Sequence, residues 1–261
     1  IRKITAFNLE KIKKKMLEEG RAPRSIQYIF ATFRQVWNYA RLNDIVTHET
    51  PTRKVKLPKV NNKRLRYFTH VEVDILLEAL KSKSQQVHDM TLFSLHTGAR
   101  AGEVFSLTWG VVNLKNGTAQ LRDGKGVDRH AYLTDATQSM LEQLHQEQDP
   151  SELVFTDSEG EKITKISNTF ERTVKELGLN NGVTDSRDKA IFHTCRHTFA
   201  SWHVQNGTDL YTVKELLGHS TIQLTERYSH LRPDGLKKAA RRFDNQLKEN
   251  NIVPIEKTDN G

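Results

Sequence analysis

Apolar residues between positions 26 and 40 recur at steps of three and four, the spacing of one face of an α-helix. The stripe consists of Ile26, Ile29, Phe30, Phe33, Val36, Trp37 and Ala40. Pro23 precedes it, and the fixed φ of proline suits the first turn of a helix. An earlier helix is predicted from about Leu9 to Glu19, because Gly20 is typical of a helix end. The chain therefore opens with a small helical unit.

This helical pattern stops at residues 50–66, which contain two prolines, two adjacent asparagines and seven lysines or arginines. The segment has no apolar period, so we predict a basic interdomain linker over residues 51–66.

Positive charge is concentrated at the start of the chain. Residues 1–66 carry 17 Lys and Arg against 5 Asp and Glu, a net charge of +12, whereas the rest of the 261-residue chain has a net charge of −4. Such an asymmetry is typical of proteins that bind nucleic acid. A basic surface that is merely solvated is the alternative.

The sequence after the linker predicts mostly helices and a small antiparallel sheet, a mainly α (α+β) fold. A capping-box pattern at Thr69–Glu72 precedes an apolar run and predicts a helix start. Strand-like runs at Thr118–Leu121 and His130–Leu133 flank a glycine-containing turn and predict a hairpin. From residue 135 to about residue 247 we expect mainly helices.

A second capping-box pattern, at Ser220–Gln223, predicts another helix near the end of the chain. Gly218 is expected to close the helix before it. In this arrangement His219 lies at the helix entrance and Tyr228 about two turns further in.

Cysteine content and hydropathy restrict where the protein works. Cys195 is the single cysteine, so the chain has no internal disulfide and no cysteine-rich zinc site, and we expect a buried thiol. No apolar run approaches the roughly 20 residues of a membrane span, and the N-terminus lacks the apolar segment of a signal peptide. We expect a cytoplasmic protein with no membrane partner. The chain starts at Ile1, which predicts a fragment or a processed product.

The chain contains the residue types needed to bind a phosphodiester and break it. The candidates are Arg100, Lys125, His193, Arg196, His219 and Tyr228. Arginine forks match phosphate oxygens two at a time. A tyrosine phenol can attack phosphorus and hold it covalently, and a lysine can protonate the departing sugar oxygen.

Two of the histidines have a spacing that zinc ligands also use. His193 and His197 are four residues apart, as in the His-Glu-x-x-His pattern, but Thr194 stands where that pattern has its glutamate. We therefore predict no metal site and no cofactor.

Three segments resemble motifs of the tyrosine recombinase (phage integrase) family. TGARAGEVFSLTW at 97–109 resembles its first arginine motif, and FHTCRHTFAS at 192–201 resembles its His-x-x-Arg motif. LLGHSTIQLTERYSHL at 216–231 resembles its histidine-to-tyrosine motif. The resemblance covers nearly the whole chain, since residues 4–44 are similar to the family's helical core-binding domain and residues 66–80 to the start of its catalytic domain.

The resemblance implies a division of the chain by function. Residues 1–50 are expected to form a core-type DNA-binding domain, residues 51–66 the linker, and residues 67–247 the catalytic domain. Residues 248–261 are expected to form a C-terminal tail that docks on a neighbouring protomer.

The resemblance also implies a site-specific recombinase that integrates or excises a mobile element. Tyr228 would attack the scissile phosphate and form a 3′-phosphotyrosyl link, with Arg100 and Arg196 holding the phosphate. Lys125 would be the general acid, and Glu103 would orient the arginines.

His193 and His219 would assist with hydrogen bonds and proton transfer. The implied partners are double-stranded DNA carrying the recombination site and a homotetramer assembled on two paired sites, with a monomer free in solution.

The predicted hairpin departs from the family pattern. Tyr132 stands where the family often has proline, and in an ungapped alignment from Leu133 the lysine position falls on Gly124, one residue before Lys125. A hairpin shorter by one residue brings Lys125 to that position.

Two other hypotheses for the function remain. One is a type IB topoisomerase, which relaxes supercoils as a monomer, and the other is a DNA-binding protein that has lost catalysis.

Overall fold

The computed structural model describes residues 3–59, 66–122, 128–232, 240–241 and 243–245. The chain divides into two compact units, residues 1–62 and residues 63–261, and each is treated by itself below. The predicted turn with Lys125 and the tail from residue 248 lie outside the described residues. In the described parts of the chain, every helix is too short or too polar to span a bilayer.

The first unit is built on two helices, α1 (Ala6–Glu18) and α2 (Pro23–Leu42). The hydroxyl of Thr5 accepts a hydrogen bond from the N–H of Asn8 and caps α1, which therefore begins three residues before the predicted start. Pro23 occupies the first turn of α2, as predicted.

The apolar stripe of α2 is only partly buried. Ile26, Phe30 and Trp37 are almost fully buried in the first unit, whereas Ile29 and Val36 are about half exposed. The stripe predicted from the sequence is thus wider than the face that contacts the core.

The segment that follows α2 lies on the helices of the first unit as far as residue 59. Val55 is buried among residues of α1 and α2, after a 3-10 turn at Pro51–Lys54. Gln27 donates a side-chain hydrogen bond to the carbonyl of Pro58 at 3.0 Å. Residues 51–59 therefore belong structurally to the first unit, and residues 60–65 are outside the description.

The second unit is mainly helical with a small sheet, which confirms the predicted fold class. Its α-helices are α3 (His70–Lys83), α4 (Gln85–Thr97), α5 (Ala101–Phe105), α6 (Asp135–Leu144), α7 (Asn168–Glu176), α8 (Thr194–Gln205) and α9 (Leu210–Leu217). Its strands are β1 (Val112–Asn113), β2 (Thr118–Leu121) and β3 (Arg129–Tyr132), antiparallel in the order β1-β2-β3. The capping box at Thr69–Glu72 is present and starts α3.

The sheet carries one charged side chain towards the interior. In the antiparallel register of β2 and β3, Ala119 faces Ala131 and Leu121 faces Arg129, and these side chains are buried. Period-two alternation places Arg129 on the same buried face as Ala131. β2 has the predicted bounds, β3 begins one residue before its predicted start, and β1 was not predicted.

Helix α8 is central in the second unit. Eight consecutive residues, 194–201, are buried, and the helix packs against α4 and α9. The hydroxyl of Thr198 accepts a hydrogen bond from the N–H of Phe68 at 2.9 Å, and Trp202 donates from its indole to the carbonyl of Phe68 at 3.2 Å. These bonds hold α8 to the segment that precedes α3. Cys195, on this helix, is fully buried as predicted.

The prediction of a helix from the pattern at Ser220–Gln223 is wrong. The chain there forms two 3-10 turns, Ile222–Leu224 and Glu226–Leu231, and Thr221 makes no side-chain cap. The hydroxyl of Thr225 lies 2.8 Å from Nδ1 of His219, a contact with an earlier part of the chain that competes with a regular helix. Long irregular segments at 145–167 and 177–193 also interrupt the stretch predicted to be mainly helical.

Candidate active site

Two helices of the second unit end at glycines that are close to one another in the fold. Gly98 follows α4 with φ +65° and Gly218 follows α9 with φ +61°, a left-handed backbone that glycine adopts without strain. A Cβ on Gly98 would lie 2.7 Å from Cδ1 of Phe199, and one on Gly218 would lie 2.6 Å from Cδ of Arg129. Both helix ends therefore require glycine for conformation and for space.

The side chain of Arg196 connects these two helix ends through hydrogen bonds. It is 2% exposed, and its Nη1 and Nη2 donate hydrogen bonds to the carbonyls of Gly98 and Leu217, each at 2.6 Å. The last carbonyls of a helix lack intrahelical partners and carry its partial negative charge. The two helix ends thus supply both hydrogen bonds and charge compensation for the buried guanidinium.

Arg129 makes a second bridge between the same helices. Its Nη1 donates to the carbonyls of Thr97 at 3.2 Å and Leu216 at 2.6 Å, and its Nη2 donates to Oε2 of Glu103 at 3.1 Å. Arg129 therefore joins α4, α5, α9 and the sheet in one buried network.

Glu103 connects this network to Arg100, the predicted phosphate ligand at the start of α5. Oε1 of Glu103 accepts from Nη1 of Arg100 at 2.7 Å, and Oε2 accepts from the backbone N–H of Arg100 at 2.9 Å. The side chain of Arg100 is 30% exposed, whereas that of Glu103 is 3% exposed. The carboxylate thus holds Arg100 in an orientation that leaves part of its guanidinium accessible.

The cluster of guanidinium groups is electrostatically costly. Burial, and then the neighbouring charges of Arg100 and Arg129, lower the pKa of Arg196 to about 9, with Glu103 and Tyr228 opposing them. Arg196 remains charged at neutral pH, so positive charge accumulates at this site, where the guanidinium of Arg100 is partly accessible to solvent. An anion such as a phosphate diester would relieve this repulsion.

His219 lies half-buried beside the arginines. Burial, and then the charges of Arg196 and Arg100, lower the pKa of His219 to about 3. The imidazole is therefore neutral at pH 7 and can donate a hydrogen bond from one nitrogen while the other pairs with Thr225.

Tyr228, the predicted nucleophile, is 4% exposed. Burial raises the pKa of its phenol to about 12, and the charges of Arg227 and Arg196 partly oppose that rise. Its hydroxyl lies 2.6 Å from Nδ1 of His197. The phenol is therefore protonated at neutral pH and is hydrogen bonded to an imidazole.

Four of the predicted site residues thus gather at one place: Arg100, Arg196, His219 and Tyr228. His193 occupies the N-cap position of α8, where it is exposed and packs edge-on against His197 with ring centroids 4.9 Å apart. Lys125 lies outside the described residues.

Beside His219 and Gly218 opens a cleft of about 610 Å³, lined by β3, by α9 and by the residues that follow α9. Among the described residues, no group of histidine, cysteine, aspartate and glutamate side chains is arranged to hold a metal ion.

Sequence reasoning did not assign Arg129 or His197 to the site. Arg129 directly precedes the predicted strand His130–Leu133, and its position two residues before Ala131 is the signal that could have indicated a buried charged side chain. His197 stands four residues after His193, the spacing of residues that share one helix face, and this spacing is the signal that could have indicated it.

Comparison with known proteins gives a consistent result. The model of the phage integrase family matches residues 66–234. The tyrosine recombinase XerC of Chlamydia caviae is 28% identical over 229 residues, which cover 83% of this chain and 70% of that relative.

Solved structures share the fold. The XerH site-specific recombinase bound to a palindromic difH substrate superposes with a TM-score of 0.71 at 20% identity, over 94% of this chain and 74% of that chain. The Tn1549 transposon integrase in complex with circular intermediate DNA superposes with a TM-score of 0.69 at 16% identity, over 92% of this chain and 85% of that chain. The family model covers well over half of the chain and includes both arginines, both motif histidines and the tyrosine. The chain therefore belongs to the phage integrase family and is an enzyme of the tyrosine recombinase class.

Proposed function

We propose that the protein is a site-specific DNA recombinase that integrates or excises a mobile element through a 3′-phosphotyrosyl intermediate. The observation that carries this proposal is the position of Tyr228: a buried phenol, hydrogen bonded to an imidazole, next to a cluster of buried arginines. Double-stranded DNA is the proposed substrate, and the DNA-bound states of XerH and of the Tn1549 integrase support it. Integration or excision is supported by the likeness to a transposon integrase.

In the proposed reaction the scissile phosphate binds between Arg100 and Arg196. Arginine has five N–H donors, and the two bonds of Arg196 to helix carbonyls leave others for a phosphate oxygen. The phenol oxygen of Tyr228 attacks phosphorus, the bond from phosphorus to the 5′ oxygen breaks, and the new phosphotyrosyl ester keeps the bond energy for rejoining.

Proton transfer and charge stabilisation are assigned to the remaining residues. His193 and His219 donate hydrogen bonds to the non-bridging oxygens, and the neutral state of His219 suits a donor that carries no net charge. Lys125 protonates the departing 5′ oxygen. Glu103 does not touch the substrate and positions Arg100.

The proposed assembly is a homotetramer on two paired DNA sites, formed from monomers in the cytoplasm. The positive charge of residues 1–66 supports a role for the first unit in holding DNA, since lysines and arginines neutralise phosphates. Residues 248–261 are proposed to dock on a neighbouring protomer, and the test is recombination after their deletion, which should then fail.

The decisive test uses a nicked suicide substrate built from the ends of the element that carries the gene. Wild-type protein should form a covalent protein–DNA band, and Tyr228→Phe should form none, because the nucleophile is lost. Tyr211→Phe is the matched control: it removes an exposed hydroxyl that lines the neighbouring cleft, and it should leave the band intact. A band with Tyr228→Phe would disprove the assignment, and relaxation of a plasmid without any specific site would favour a topoisomerase.

A further inference from the structure

His197 makes the closest polar contact that the structure records for the phenol of Tyr228. Nδ1 of His197 and the hydroxyl oxygen of Tyr228 are 2.6 Å apart, within hydrogen-bond range, and the two residues are 5% and 4% exposed. The contact joins α8 to the last 3-10 turn across 31 residues of sequence. Both side chains are therefore largely shielded from bulk solvent.

The direction of this hydrogen bond follows from the protonation state of the phenol. Burial keeps the phenol protonated, since it raises the pKa of Tyr228 to about 12, so the phenol has a proton to donate. Because the phenol carries the proton, Nδ1 of His197 acts as the acceptor in this contact, which places the imidazole proton on Nε2.

We propose that His197 is a further catalytic residue, the base that takes the proton of the Tyr228 hydroxyl when the phenol attacks the scissile phosphate. This proposal rests on the recombinase function proposed above. The O–H bond breaks and its proton moves to the electron pair of Nδ1, while the phenol oxygen forms the bond to phosphorus. The bond from phosphorus to the 5′ oxygen breaks, and that oxygen keeps the electron pair and takes a proton from the general acid. On rejoining, the tyrosine oxygen leaves phosphorus and recovers its proton from His197.

The other motif histidines are arranged differently. Nδ1 of His219 faces the hydroxyl of Thr225 at 2.8 Å, and His193 is exposed at the start of α8. His193 packs edge-on against His197 and helps to fix its ring plane, with an angle of 89° between the rings. The 2.6 Å contact with the phenol oxygen thus favours His197 as the residue that acts on the nucleophile.

The experiment compares single-turnover cleavage of two suicide substrates by wild type, His197→Asn and Lys125→Ala. One substrate has an ordinary scissile phosphate, and the other has sulfur in place of the bridging 5′ oxygen, a leaving group that needs no proton. An asparagine amide can still accept the hydrogen bond of the phenol but does not hold its proton at neutral pH. His197→Asn should slow cleavage of both substrates by the same factor, about 100-fold or more. Lys125→Ala should be slow on the first substrate and largely restored on the second.

His203→Asn is the matched control, because His203 lies on α8, is partly buried and contacts Thr208 rather than the site. It should cleave at the wild-type rate. Unchanged or faster cleavage by His197→Asn would overturn the proposal. Recovery of the wild-type cleavage rate by His197→Asn on the substrate with sulfur would also overturn it, because that result would make His197 the residue that protonates the leaving group. Absence of cleavage by wild type would instead count against the recombinase function itself.

A measurement on the unaltered side chain keeps the proposal testable if His197→Asn does not fold. In the ¹⁵N spectrum of histidine-labelled wild type at neutral pH, Nδ1 of His197 should resonate as an unprotonated nitrogen that accepts a hydrogen bond. Its resonance should shift in Tyr228→Phe, which also serves to assign it. A protonated Nδ1 in wild type would overturn the proposal.

Discussion

At the residue scale, Glu103 is a carboxylate shared by two guanidinium groups. It pairs with Arg100 through Oε1 and with Arg129 through Oε2, and its side chain is almost completely buried. Removing its charge would take away an anion that pairs with the buried Arg129 and leave that guanidinium less well compensated.

We expect Glu103→Gln to destabilise the second unit by about 3 kcal/mol, the magnitude typical of breaking a buried ion pair. The measurement is urea-induced unfolding at neutral pH. Glu176→Gln is the control, because its ion pair with Lys83 is exposed and should contribute at most about 1 kcal/mol. Equal losses in the two variants would contradict the role given to Glu103.

The sequence allowed the types of residue to be predicted better than their partners. Arg100, Arg196, His219 and Tyr228 could be chosen from motif spacing, and the structure gathers them at one place. The bond from Tyr228 to His197 and the bridge made by Arg129 depend on contacts across 31 and 87 residues. No local pattern encodes such contacts, so they appear only when the helices are packed.

At the scale of the elements, the ends of α4 and α9 position the site more than the helices themselves do. Gly98 turns the chain two residues before Arg100, and Gly218 turns it directly before His219; the first leaves room for Phe199 and the second for the buried Arg129. A side chain at Gly218 would meet Arg129 as well as strain the backbone.

We expect Gly218→Ala to cost about 3 kcal/mol of stability, the sum of left-handed strain and overpacking, and to slow DNA cleavage because Arg129 is displaced. Gly207→Ala is the control for strain alone, because Gly207 has φ +88° and a Cβ there would meet nothing within 4 Å. It should cost about 1 to 2 kcal/mol and leave cleavage intact. Thermal unfolding and suicide-substrate cleavage together test this; equal behaviour of the two variants would be the contrary result.

Element prediction succeeded where the signal was local and failed where tertiary contacts dominate. The capping box at Thr69–Glu72 and the strand Thr118–Leu121 were predicted with the correct bounds, because hydrogen bonds between near neighbours or simple alternation define them. The helix predicted after Ser220 did not form, since Thr225 is buried against His219 and the chain makes 3-10 turns instead.

At the scale of the whole molecule, the charge of the chain is divided unequally. Residues 1–66 have a net charge of +12, and the rest of the chain has a net charge of −4. The exposed lysines of α1 contribute to that excess, and in the proposed function they lie within the field that attracts DNA.

We expect Lys14→Gln with Lys15→Gln to weaken binding to duplex DNA and to reduce the slope of log affinity against log salt by up to about 0.9 for each phosphate that is no longer neutralised. The control is Lys162→Gln with Lys165→Gln, two exposed lysines of the second unit, which should change the slope little. Fluorescence anisotropy across a salt series measures both. A larger effect in the control pair would show that the first unit is not the main electrostatic contact.

The double bridge made by Arg129 and Arg196 has a consequence for the activity of partly unfolded protein. Both side chains hold the end of α4 to the end of α9, so Arg100 on one side and His219 on the other are tied through the same buried bonds. Local opening of either helix end would break both bridges at once and scatter the groups that act on phosphate. An enzyme that cuts and rejoins DNA would then lose its chemistry as soon as its structure loosens, so a damaged or half-folded copy would be inert rather than indiscriminate.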